Sequence, residues 1–186
     1  MRPFVTVALD FAAEFVKSKK ADPARIIFIS PYAANVRVIK GMRRKPEYAC
    51  LTGMPDAMTV DWFQGQENDL AVVVMGTAHP HSGPGFTSNS QRLNVMLTRQ
   101  KCGLVIVGDI YVAGAVTRGK KRPAQTKFIV EGPNGEISFS RASTLRQVYK
   151  ELHGSGRVAT VVVREVKKTK EGAETKEGKD SNAPSS

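Results

Sequence analysis

Three short runs, Ile26-Ile27-Phe28-Ile29, Leu70 to Met75 and Leu104 to Val107, constrain this chain more than anything else in it. All three are apolar at every position and rich in β-branched side chains. A strand that alternates apolar and polar residues can leave one face in water, but a strand apolar throughout has to be covered on both. The segments between the runs supply the covers. Val5, Ala8, Leu9, Ala12, Phe15 and Val16 recur at helical spacing, with Asp10, Glu14, Lys17 and Lys20 between them, until Asp22-Pro23 ends the pattern. A second helix is expected over 34–43, after Ser30-Pro31-Tyr32, with Arg37, Lys40, Arg43 and Arg44 outward. A third is expected over 91–99, with Leu93, Met96 and Leu97 on one side. Strand, helix, strand, helix, strand in this order implies an α/β fold, a parallel sheet with helices on both faces. Short strands are also expected near Tyr48 to Leu51 and Met58 to Val60, and the Gly- and Pro-punctuated stretch 76–90 reads as an irregular loop.

The last third changes character. Phe128-Ile129-Val130 and Ile137-Ser138-Phe139 flank Gly132-Pro133-Asn134-Gly135, which is a hairpin signal. Leu145, Val148, Tyr149 and Leu152 line one face of a helix over 143–152, with Ser143 as its expected N-cap and Gly154 as its stop. Val158 to Val166 has strand composition, and from Lys167 onward only residues such as Lys, Glu, Thr, Gly and Ser follow. Such a tail cannot bury enough apolar surface to offset its ordering entropy and is expected to be disordered. The expected organisation is an α/β domain over 1–118, an appendage of hairpin, helix and strand over 119–166, and a tail over 167–186.

Net charge is +11, from 28 Lys and Arg against 17 Asp and Glu, which favours a polyanionic partner. The densest basic stretch is Arg118, Lys120, Lys121, Arg122 and Lys127, with no acid between Asp109 and Glu131. It reads as a solvated loop or as a loop that contacts phosphates. Cys50 and Cys102 lie among apolar residues and read as small buried hydrophobes of a reducing compartment. There is no CxxC pair, and His79 and His81 fall in a Gly-, Pro- and Ser-rich loop, so no metal site is expected. No run approaches the ~18 apolar residues of a membrane helix, and the N-terminus lacks a secretory pattern. An intracellular protein is expected, nuclear or cytoplasmic, without a membrane partner.

Two motifs about 30 residues apart carry the chemistry: Thr59-Val60-Asp61-Trp62-Phe63-Gln64-Gly65-Gln66-Glu67 and Arg92-Leu93-Asn94-Val95-Met96-Leu97-Thr98-Arg99. Gly65 would let backbone approach an anion closely, and Glu67 offers an acceptor for a sugar hydroxyl or a cation. The segment follows a strand, where ligands of parallel sheets collect. A polar loop capping a helix is the plainer reading. Arg99 closes a helical segment, where a guanidinium either complements the helix dipole or grips phosphate oxygens with its planar fork.

These two motifs closely resemble motifs V and VI of the superfamily 1B helicases of the nonsense-mediated-decay type, and Ile29-Ser30-Pro31-Tyr32 after its buried strand resembles their motif IV. The three occur in family order, within a resemblance that runs from about Phe4 to Leu152. It implies a RecA-like fold, the second motor domain of such a helicase. In it Arg99 would be the arginine finger reaching the γ-phosphate of ATP bound to a first motor domain. Gly65 and Glu67 would contact the nucleotide, Glu67 near the ribose, and Gln64 would couple the nucleotide cleft to strand movement. Ser30, Tyr32 and Thr59 would hold the backbone of single-stranded RNA or DNA. Two positions depart from the family pattern: Gln100 stands where a small residue usually follows the finger, and Asn35 stands where Gln is usual.

A motor also needs a phosphate-binding loop, G-x-x-x-x-G-K-[ST], and acids for Mg²⁺. Gly114 to Lys120 fits the first seven positions, but Lys121 replaces the metal-binding hydroxyl. The chain alone is therefore expected not to hydrolyse ATP, and ATP and Mg²⁺ would be held mainly by a first RecA-like motor domain in cis or in trans. The rival expectations are a non-catalytic single-strand-binding or regulatory protein that kept the fold, and a degenerate reading frame.

Overall fold

The apolar runs become strands because each has helices to cover both of its faces. The computed structural model describes residues 2–76, 85–114, 128–131, 137–140 and 142–162. Its core is a four-stranded sheet of β1 (Ile26–Ser30), β2 (Met58–Thr59), β3 (Asn68–Val74) and β4 (Gln100–Val107), all parallel, in the order β2-β1-β3-β4. The helices are α1 (Arg2–Lys19), α2 (Ala33–Arg43), α3 (Ser90–Leu97) and α4 (Ser143–Gly154). The parallel sheet is consistent with the expected RecA-like α/β fold.

Successive strand residues point to opposite faces, and the two faces carry two separate cores. Ile26, Phe28, Val72 and Val74, with half-buried Val105 and Val107, pack under Val5, Leu9 and Ala12 of α1 and Val36 and Ile39 of α2. Ile27, Ile29, Ala71, Val73 and Met75, with half-buried Leu104 and Ile106, pack under Leu93 and Met96 of α3 and Leu145 and Tyr149 of α4. The register aligns Ile26 with Leu70 and Ala71 with Leu104. A one-residue slip would exchange the two cores, so register is strongly specified.

Several expectations are corrected. Tyr48 to Leu51 is a 3₁₀ turn spanning Pro46–Leu51, not a strand. Pro46 supplies the fixed φ of a helical start, and Tyr48 and Leu51, three apart, turn the same way into the core beside α1. The Tyr48 hydroxyl then donates to Asp10 Oδ1 at 2.8 Å. Ser143 is the first residue of α4 rather than its cap; Ala142 holds the cap position with φ 42° and no side-chain bond. Residues 157–162 are exposed and carry no strand. Cys50 is half-buried, and Cys102 is exposed on β4. Of the four cations expected outward on the second helix, Lys40 and Arg43 are half-buried and both pair with Asp56, at 3.0 and 3.1 Å. A 3₁₀ turn, Gly85–Ser88, interrupts the loop expected over 76–90.

Phe128–Glu131 (β5) and Ile137–Ser140 (β6) pair antiparallel as the hairpin signal requires. The turn between them, His79 and His81, the near-miss phosphate loop after Gly114, the basic stretch 118–127 and the tail all lie outside the described residues. Among the described residues no helix is long and apolar enough to cross a membrane.

Candidate nucleotide and nucleic-acid site

The sheet order contains a reversal. β1 sends its chain one way, through α2 to β2, while β3 and β4 build the other way. α2 and α3 therefore leave opposite faces, and the sheet's winding reverses between β1 and β3. Ligands of open α/β sheets collect outside the C-terminal ends of the strands at such a reversal. Ser30 ends β1 there, but its side chain is wholly buried. Its hydroxyl donates to the Val74 carbonyl of β3 at 2.8 Å, accepts from Asn35 Nδ2 at 3.1 Å, and receives the Tyr32 N–H at 3.3 Å. The Ser30 side chain thus ties the end of β1 to β3 and to α2 from inside, and the expected direct contact with a nucleic-acid backbone is not offered by it. Asn35, the other departure from pattern, is also internal: it is 1% exposed, and its Oδ1 has no partner among the described residues.

Tyr32 and Thr59 are both half-buried at this edge. The Tyr32 hydroxyl accepts the Phe86 N–H at 3.2 Å, and the two rings lie 6.2 Å apart. Burial pushes the Tyr32 hydroxyl above the usual tyrosine range, partly offset by that bond. Gly76 lies directly against this ring, since a Cβ there would meet Tyr32 Cδ2 at 2.4 Å and Asn35 Nδ2 at 3.0 Å. Arg92 of α3 stacks its guanidinium 3.9 Å from the Phe86 centroid and faces Asp61 at 3.9 Å. The edge therefore carries a relay of Tyr32, Phe86, Arg92 and Asp61. Of these, sequence reasoning missed Phe86 as well as Gly76 behind the ring. Both sit in or beside a Gly- and Pro-rich loop whose pattern gives no sign of packing.

Glu67 and Arg99 do not join this edge. The chain leaves Thr59 in a helical turn, with the Phe63 N–H donating to the Thr59 carbonyl at 3.0 Å. Val60 and Phe63 are 2% and 4% exposed, so the turn is nailed to the sheet through residues three apart, leaving Asp61, Trp62 and Gln64 outward. Gly65 follows with φ +79°, a left-handed conformation that favours glycine, in open space. Gln66 and Glu67 are exposed, and Asn68 then begins β3. Glu67 thus stands at the N-terminal edge of the sheet, not at the C-terminal edge expected for a segment that follows a strand. Arg99 stands beside it, because the Asn68 N–H donates to the Arg99 carbonyl at 3.1 Å and Gln100 begins β4 opposite Asn68.

The Arg99 head is half-buried against its own domain. Nε donates to the Val95 carbonyl at 2.9 Å, Nη1 to the Gln66 carbonyl at 3.4 Å, and Nη2 to the Thr98 hydroxyl at 3.1 Å. Every one of these acceptors is neutral. The guanidinium is therefore aimed and held without a compensating carboxylate among them, which suits a group meant for a phosphate. Gln100 turns back, donating to the Leu97 carbonyl at 2.9 Å, and so does not crowd the guanidinium. Glu67 is exposed and Gly65 lies in open space, so this N-terminal edge presents a carboxylate and a free backbone turn beside the Arg99 guanidinium. Among the described residues no group of three His, Cys, Asp or Glu side chains is assembled that could hold a metal ion.

A family described as AAA domain matches residues 5–111. Among individual proteins, the chain is 30% identical over 152 residues to the regulator of nonsense transcripts 1 homolog of Arabidopsis thaliana, covering 72% of this chain and 12% of that protein. It is 33% identical over 135 residues to the helicase sen1 of Schizosaccharomyces pombe, covering 69% of this chain and 8% of that one. With the probable helicase MAGATAMA 3 of Arabidopsis thaliana it shares 35% identity over 86 residues, 46% of this chain and 10% of the relative. The chain thus spans about a tenth of the length of the curated relatives it matches.

Proposed function

The chain belongs to the AAA domain family and is a helicase-family domain, and from that premise we propose that it is the second motor half of a superfamily 1 helicase. It completes an ATP site that a first, Walker-containing motor domain holds together with Mg²⁺. Arg99 is offered to the γ-phosphate, Gly65 and Glu67 to the rest of the nucleotide, and Tyr32 and Thr59 to the backbone of single-stranded RNA or DNA. ATP bound in the joint site supplies the phosphoryl transfer; the residues of this chain orient it and offset its developing charge.

One observation carries the reading. The Gln66 carbonyl accepts from Arg99 Nη1, so the two motifs meet through a bond. The run from Thr59 to Glu67 is continuous from the strand-binding edge to the nucleotide edge. Gln64 lies midway along it, where a coupling residue would have to lie. A shift of Arg99 on nucleotide hydrolysis would pull on Gln66, and through the turn anchored by Phe63 on Thr59. Ser30 acts behind this surface as a brace between β1 and β3.

The test is reconstitution. The chain is mixed with a matching first motor domain, and ATP turnover is followed with and without single-stranded nucleic acid. Turnover that appears only in the mixture and falls ~10³-fold or more in Arg99→Ala supports the reading, a loss of the size arginine fingers supply. Full turnover in Arg99→Ala overturns it. Nucleic-acid binding that ignores ATP and survives the substitution would point to a non-catalytic binder on the same fold.

A further inference from the structure

Trp62 is the chain's sole tryptophan, and among the described residues it is the large apolar side chain most open to water, at 81% exposure. Its backbone is nevertheless fixed. Val60 and Phe63 on either side are buried, the Phe63 N–H is bonded to the Thr59 carbonyl, and the Trp62 carbonyl accepts from Gln66 Nε2 at 3.2 Å. An indole exposed by a floppy loop has many positions; this one is presented from a pinned turn. Its neighbours along that turn, Asp61, Gln64 and Gln66, are polar and exposed, and Asp61 faces Arg92, whose guanidinium covers the Phe86 ring.

A lone aromatic in a polar surround does not make the contiguous apolar patch on which proteins dock. It does match the platforms on which bases of a single strand stack, where aromatic rings and arginine planes alternate within a basic surface. The net charge of +11 supplies the attraction for such a strand. We propose that Trp62 stacks on an unpaired nucleobase, continuing the Tyr32, Phe86 and Arg92 edge so that base contacts add to backbone contacts. This rests on the reading of the chain as a single-strand-binding motor half, and it adds a base-contacting residue to it.

The single tryptophan makes the test direct, since all indole emission comes from position 62. The full chain is titrated with a single-stranded oligonucleotide of about a dozen bases, within the span of known single-strand sites, and with an abasic strand of equal length. Anisotropy of a labelled strand reports binding, and indole emission reports stacking. The expected result is binding of both strands, with quenching by the base-bearing strand alone. Trp62→Ala should weaken the base-bearing strand ~5- to 150-fold, the range that corresponds to a lost stack of about 1–3 kcal/mol, and leave the abasic strand and Tm unchanged. Trp62→Phe should recover most of the affinity. Binding without quenching, with Trp62→Ala as tight as wild type, overturns the stacking while leaving strand binding intact. Absence of binding to either strand overturns both. Emission that ignores the strand but shifts to the blue on adding the first motor domain overturns it as well, by assigning the indole to a domain interface.

Discussion

Ser30→Ala removes one oxygen atom and almost no volume, so it isolates the hydrogen bonds made by that atom. In the folded chain the hydroxyl serves the Val74 carbonyl at 2.8 Å, the Asn35 amide at 3.1 Å and the Tyr32 N–H at 3.3 Å, with the residue wholly buried. Asn35 Oδ1 already lacks a partner among the described residues, so the substitution leaves the whole Asn35 amide unsatisfied in the core. A lost buried bond is worth about 1 kcal/mol, and an orphaned donor adds its desolvation, about 1–3 kcal/mol. The expected loss is ~2–4 kcal/mol, equivalent to about 4–16 °C in Tm for a domain of this size. Thermal and urea unfolding by circular dichroism measure it. Single-strand affinity measured well below Tm should be unchanged, because the hydroxyl does not reach the surface. A double substitution with Asn35→Ala should be milder than the sum by about 1 kcal/mol, since the two side chains share one bond. If Ser30→Ala melts within about 2 °C of wild type and loses affinity instead, the hydroxyl faces the ligand and the bracing role is refuted.

Two further substitutions probe neighbouring features. Gly76→Ala puts a methyl 2.4 Å from the Tyr32 ring; it should destabilise by about 1–3 kcal/mol and, by displacing Tyr32 and Phe86, weaken single-strand binding, both readable on one purified variant by melting and anisotropy. Asp56 is held below the usual carboxylate range, chiefly by the hydrogen bond from Lys40 and then by the charges of Lys40, Arg43 and Arg44. Its folded pKa lies below its unfolded value, so its contribution is present above about pH 4 and is lost as pH falls through the folded pKa. The Asp56 side chain is 60% exposed, so Asp56→Asn should cost at most about 1 kcal/mol at pH 7 and low salt. Urea melts of both proteins should draw together as pH falls below the ordinary carboxylate range; a gap that does not narrow on acidification would sink this account.

The sequence by itself determined the strands and the parallel sheet, because an unbroken apolar run needs cover on both faces; Leu104 to Val107, at the sheet edge, is only half-buried where full burial was expected. It also determined where the motifs lie, because Thr59 to Glu67 and Arg92 to Arg99 are local patterns. It did not determine Pro46–Leu51, where four residues of strand composition followed a proline into a helical turn. Nor could it place Ser30, because whether a hydroxyl faces solvent or a carbonyl 44 residues away depends on which strand lies next to which. The same limit hid the separation of Glu67 and Arg99 from Thr59 and Tyr32. Spacing along a chain says nothing of which end of a sheet a loop returns to. Only the packed sheet, with β1 between β2 and β3, decided that the two sets of residues stand at opposite edges, joined by one anchored turn.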